Sequence, residues 1–170
     1  MPLQNGRYDG PLYRALNPVH ARNPLSGRGA ELYGGRFNPI GVPALYTAFD
    51  PIGALREANQ VGSLQPTLLV SYRAGIGPIF DARDAGELAR RGMSAQSLAD
   101  AGWRIAMLDR RPVPSQEFAR GLMADGFAGL LVRSFAKGST DADLNLVLWR
   151  WTGDGAALVV VDDEGRLRRM

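Results

Sequence analysis

Apolar and polar positions along this 170-residue chain change period twice. Strand-like alternation marks both ends, and helix-like spacing fills the middle. Residues 13–16 read as a first strand and 44–48 as a second. Period-2 alternation there puts Tyr46 with Ala44 and Ala48 on one face, Leu45 and Thr47 on the other. Asp50-Pro51 then gives a helix start, with aspartate as N-cap and proline at the first helical position. That helix is expected through Ala54, Leu55, Ala58 and Asn59, ending near Gly62. Residues 67–72 form a further apolar strand. From 85 to 107 the composition favours helices, with Leu88, Ala89, Leu98, Ala101, Trp103, Ile105 and Ala106, interrupted at Gly92 and Gly102. Ser115 reads as the N-cap of another helix carrying Phe118, Leu122 and Met123. Strands are expected at 127–132, 144–151 and 157–161, with a turn at 163–165. Trp103, Trp149 and Trp151 read as core, the last two on one strand face. The expected fold is α+β, a single domain over residues 1–170 with a mainly antiparallel sheet and peripheral helices.

Composition narrows the function classes. An apolar fraction of 45% and a charged fraction of 22% suit an ordinary soluble globule. There are no cysteines, which excludes disulfides and thiolate metal sites. His20 is the only histidine, so a histidine-rich metal site is excluded too. No Gly-x-Ser-x-Gly elbow is present, and the glycines fit neither the dinucleotide-fold fingerprint nor the P-loop. No segment approaches the ~20 apolar residues of a membrane span, and residues 1–10 lack the features of a signal peptide. A cytoplasmic, membrane-free protein is expected. The net charge is +3 and Lys137 is the only lysine, so arginine carries the positive charge. Arginine excess suits a nucleic-acid surface or a pocket for an anion. Here it is dispersed, with one cluster at Arg166, Arg168 and Arg169. A basic nucleic-acid-binding module and a non-catalytic interaction module are therefore alternatives to an enzyme.

The richest run is Gly29-Ala30-Glu31-Leu32-Tyr33-Gly34-Gly35-Arg36-Phe37-Asn38-Pro39. Two glycines followed by arginine present a forked cation beside a bare turn, suited to a phosphate or carboxylate. Glu57 falls at the edge of its helix's apolar arc, next to Ala54 and Val61, where a carboxylate faces a cleft or a buried cation. Tyr46, between two alanines, has room over its ring for stacking, or is a core tyrosine with a satisfied hydroxyl. Ser134 ends a strand and Asn145 opens the next.

Tyr13-Arg14, Gly29-Ala30, Gly34-Gly35-Arg36-Phe37-Asn38, Leu45-Tyr46-Thr47, Ala54-Leu55-Arg56-Glu57 and Arg133-Ser134 together resemble the RES-domain family, with a motif core of about residues 13–149. That family is named for an arginine, a glutamate and a serine. The resemblance implies a fold similar to ADP-ribosyltransferase toxins and a bacterial toxin paired with an Xre-type antitoxin. It implies NAD+ as a consumed substrate, with no metal and no direct nucleic-acid binding. The ADP-ribose acceptor would be phosphate, water or a host protein such as phosphoribosyl pyrophosphate synthetase. Arg36, Tyr46, Glu57 and Ser134 would line the NAD+ site, with Ser139 competing for the serine role. Gly34, Gly35 and Asn38 would belong to the binding turn, and Arg14 would be a further arginine of the pocket. Residues 85–107 are placed to carry target or antitoxin contacts.

Overall fold

The computed structural model describes residues 2–59, 63 and 65–169. Seven strands form one sheet: β1 (Tyr8–Leu16), β2 (Leu45–Ala48), β3 (Leu68–Ile76), β4 (Ile79–Asp81), β5 (Gly129–Arg133), β6 (Leu144–Leu148) and β7 (Ala156–Val160). Among the described residues the α-helices are α1 (Arg28–Tyr33), α2 (Pro51–Ala58), α3 (Ala85–Arg90), α4 (Ala95–Ala99), α5 (Trp103–Leu108) and α6 (Pro114–Ala124). The sheet order is β4-β5-β6-β2-β1-β3-β7. Every pairing is antiparallel except β4–β5. Parallel neighbours need a crossover, and α3 to α6 supply it. The α+β expectation holds.

Both faces of the central strands are buried, which explains their continuous apolar runs. Leu131, Leu146 and Leu148 join one core with Leu12, Leu45 and Tyr72. Leu130, Val132 and Val147 join the other with Phe37, Phe80, Leu88, Phe118 and Leu122. Alternation along β5 and β6 thus feeds two cores, the second covered by α3 and α6.

Several elements differ from expectation. β1 starts at Tyr8, five residues early, because Gly10 and Pro11 interrupt a strand that still pairs along its full length with β3. α2 begins as expected, with the Asp50 carboxylate accepting from Gly53 N at 2.8 Å. It ends at Ala58, and its expected end near Gly62 lies outside the described residues. Ser115 is not an N-cap. Val113 holds that position, and the Ser115 hydroxyl donates instead to the Arg36 carbonyl at 2.7 Å. Trp149 and Trp151 follow β6 and pack against opposite cores. Trp103 is half-buried beside the Arg36 guanidinium, not in the core.

Candidate active site

Strand pairing brings the site together. Asn145 stands in register with Ala48 of β2 on one side and Val132 of β5 on the other. The chain leaves β2 into α2, which carries Glu57 two turns later, and leaves β5 directly into Ser134. Glu57 Oε1 accepts from the Ser134 hydroxyl and from Asn145 Nδ2, each at 2.5 Å. Hydrogen bonds to a carboxylate are short and strong, so this carboxylate is fixed in orientation. Arg56 also ties α2 to the loop through Asp143 at 3.1 Å.

The two candidate serines have different partners. Ser134 touches the carboxylate and also accepts from Ala136 N at 3.2 Å. Ser139 donates to the Ser134 and Ala136 carbonyls at 3.0 and 2.7 Å, fastening the loop that holds Ser134.

Glu57 and Asn145 line a cavity of about 160 Å³ together with Arg14, Tyr46, Ala48 and Ala54. The Arg14 guanidinium reaches the carbonyls of Pro24 and Ser26 at 3.4 and 3.2 Å. Among the described residues it makes no ion pair. Burial pulls its pKa down, opposed by the Tyr72 phenol. A cation on a cavity wall, held by carbonyls instead of a carboxylate, retains its charge for an anionic ligand.

Arg36 is held differently. Its Nη1 donates to the carbonyls of Leu98 at 2.9 Å and Asp100 at 2.7 Å. Its guanidinium lies 4.5 Å from the Phe135 ring centroid and 5.7 Å from that of Trp103. Burial lowers its pKa, while Asp100, Glu57 and Tyr46 push it back up. The Glu57 charge is thus one of those that act on Arg36, although Arg36 lines neither the Glu57 cavity nor the larger one beside Ser134. The helical segment 85–107 supplies the carbonyls and the Trp103 ring that hold Arg36.

The glycine turn lies behind the cavity wall. The Tyr46 phenol donates to Asn38 Oδ1 at 2.7 Å and accepts from Phe37 N at 3.0 Å. Burial drives its pKa far above the ordinary value, against that amide hydrogen bond and the Arg36 charge. Asn38 is fully buried and donates to the Ala30 and Val42 carbonyls, both at 2.8 Å. A β-carbon on Gly35 would come within 2.4 Å of the Tyr46 oxygen. Gly34, at φ +70°, ends α1 in the left-handed region. Gly35 and Asn38 thus brace Tyr46, which lines the cavity while its hydroxyl is held by Asn38 and Phe37 N.

A second cavity, about 410 Å³, is walled by Ser134, Phe135, Leu98, Val132 and Arg83. Its arginines are already paired, Arg83 with Asp81 at 2.6 Å and Arg133 with Asp141 at 2.9 Å. It is the larger of the two. The Ser134–Glu57 hydrogen bond joins the walls of both.

Asn145 was not among the residues singled out for the site. Its signal is a lone amide inside the apolar run Leu144-Asn145-Leu146-Val147-Leu148. Phe135 was missed as well, and only its place next to Ser134 hints at it. Among the described residues no three His, Cys, Asp or Glu side chains cluster as metal ligands. No helix among them is long and apolar enough to cross a membrane.

The RES domain family model matches residues 11–170. No curated protein matches the sequence significantly. Among solved structures, the chain is similar to one in the crystal structure of the M. tuberculosis MbcT-MbcA toxin-antitoxin complex. The TM-score is 0.58 at 21% identity, covering 92% of this chain and 83% of that one. At that identity the likeness extends to the fold.

Proposed function

The chain belongs to the RES domain family, and on that premise we propose that it binds NAD+ in the Glu57 cavity and breaks its nicotinamide–ribose bond. One observation carries the proposal. A carboxylate fixed by Ser134 and Asn145 shares a cavity wall with Arg14, and the Arg36 charge is within its reach. Arginine matches a pyrophosphate, whose paired oxygens accept from a planar fork. The fixed carboxylate suits the sugar.

In this reaction the bond from the ribose anomeric carbon to the pyridinium nitrogen breaks, and both electrons stay with nitrogen. Nicotinamide leaves neutral, so no acid is needed to protonate it. The ribose becomes oxocarbenium-like, and Glu57, already oriented, stabilises that positive charge without reorganising. An acceptor oxygen then bonds to the anomeric carbon and any proton it loses passes to solvent. The acceptor is phosphate, water or a protein side chain.

The chain acts, on this proposal, as the toxin of a toxin–antitoxin pair with an Xre-type antitoxin. The similar solved structure is a toxin–antitoxin complex, which supports a protein partner. The test is to incubate the purified chain with NAD+, with and without phosphate, and follow nicotinamide by chromatography. Mass spectrometry of the products separates ADP-ribose-1″-phosphate, free ADP-ribose and modified protein. Nicotinamide release is expected, and co-expression with the neighbouring encoded protein should restore growth. No nicotinamide under any condition would refute the proposal.

A further inference from the structure

The Glu57 cavity is too small for a whole dinucleotide. Its volume is about 160 Å³, against roughly 300–1,000 Å³ for a cleft that buries most of a small organic ligand. It has room for the nicotinamide ribose, and the rest of NAD+ must lie elsewhere. The cavity of about 410 Å³ falls inside that range. Its walls meet both residues assigned to the reacting half of the substrate. Ser134 donates to Glu57, the Leu98 carbonyl accepts from Arg36 at 2.9 Å, and the Phe135 ring centroid lies 4.5 Å from the Arg36 guanidinium. The cavity sits at the carboxyl ends of the parallel pair β4–β5, where Ala82 follows one strand and Ser134 the other. Helices α3 and α4 add Leu88 and Leu98 to its wall.

We propose that this larger cavity is the subsite for the adenosine half of NAD+. The assignment rests on the NAD+ reading above and deepens it. Charge decides which part of the substrate belongs there. Arg83 is closed against Asp81 and Arg133 against Asp141, so the wall offers a phosphate no net charge. The pyrophosphate is better served by Arg14 and Arg36, whose partners are carbonyls and rings, not carboxylates. Adenosine is uncharged and flat-faced, with polar groups only along its edge. Leu88, Leu98, Val132 and Phe135 supply apolar surface for such a group, with serine and threonine hydroxyls beside them. Adenosine is remote from the bond that breaks, so it adds binding common to ground and transition states. Its loss therefore shows in KM before kcat.

The experiment measures kcat and KM of the full chain for NAD+ and for nicotinamide mononucleotide, which keeps the scissile bond and lacks the adenosine. It is repeated with Ala85→Trp and Ala95→Trp. Both alanines are exposed wall positions, one on α3 and one on α4, and neither belongs to a core. An indole at either place fills the cavity, and circular dichroism confirms that each variant folds. The wild-type chain should prefer NAD+ in kcat/KM by roughly tenfold or more, and no measurable use of the mononucleotide counts as that preference in full. The variants should raise KM for NAD+ by about tenfold while kcat, and kcat/KM for the mononucleotide, stay within about threefold. Equal use of the two substrates by wild type overturns the assignment. Wild-type KM for NAD+ in the folded variants overturns it too, and one variant decides if the other does not fold. An equal loss on both substrates also overturns it, because that marks a disturbed Ser134 and not a lost adenosine contact. Each of those results leaves NAD+ cleavage standing, whereas a wild-type chain that releases no nicotinamide removes both readings.

Discussion

Gly35→Ala tests whether the glycine turn serves the fold or the ligand. A β-carbon there would lie 2.4 Å from the Tyr46 oxygen and 2.6 Å from Asn38 Oδ1, well inside contact distance. The phenol cannot step aside cheaply. Its ring packs against the Phe37 core, and its hydroxyl is held by Asn38 and by Phe37 N. Pushing it away leaves the Phe37 amide and the Asn38 oxygen unpaired. At about 1–3 kcal/mol for each buried group left unsatisfied, the loss is about 2–6 kcal/mol. That is a large share of the 5–15 kcal/mol typical of a folded domain. For a chain of this size it corresponds to a melting temperature lower by roughly 4–24 °C. Gly29→Ala is the control, since nothing lies within 4 Å of a β-carbon there and the position is within α1. It should hold stability or raise it by up to about 1 kcal/mol. Urea or thermal unfolding followed by circular dichroism measures both. An unchanged midpoint for Gly35→Ala, with NAD+ use impaired, would return the glycine to the ligand and refute the bracing role.

Other substitutions separate neighbouring roles. Ser134→Ala removes a 2.5 Å hydrogen bond to Glu57 and should slow nicotinamide release by roughly 10- to 100-fold, the range for a charge-assisted bond. Ser139→Ala should change the rate less than about threefold and cost about 0.5–1.5 kcal/mol of stability, because its bonds go to loop carbonyls. Arg14→Gln should raise KM by about tenfold or more with a smaller effect on kcat, and steady-state kinetics would show the split. Burial pushes the Asp81 carboxyl up, yet the hydrogen bonds and charge of Arg83 outweigh it and hold it below its ordinary value. A lowered folded pKa stabilises above the unfolded value and is lost as pH falls through the folded one. Arg83→Gln should therefore lower stability at neutral pH and flatten the stability–pH curve below about pH 4; an unaltered curve would contradict the pairing.

Much of the fold was legible because most elements carry local signals. Asp50-Pro51 starts α2 through a side-chain cap and a fixed φ, both readable from two residues. β4 was missed because three residues are too few for a period, and its place depends on pairing with distant β5. Ser115 misled for a related reason. A serine beside a proline suits a cap, but this hydroxyl has a partner 79 residues away at Arg36. In the site, the helical wheel correctly turned Glu57 towards a cleft. What it could not supply was the partner set, because Ser134 and Asn145 arrive from strands 77 and 88 residues further on. What the Gly34-Gly35 pair could not reveal on its own is a packing role, because the Tyr46 phenol that occupies the place of a Gly35 side chain comes from β2.

The most direct test is the rate of nicotinamide release from NAD+ by the wild-type chain and by Glu57→Gln at matched concentration. The variant keeps an oxygen to accept from Ser134 and Asn145 but loses the charge. Glu57 as the group that stabilises the sugar cation predicts a rate lower by about 10²- to 10³-fold with an unchanged unfolding midpoint. Nicotinamide release at the wild-type rate from folded Glu57→Gln would contradict it.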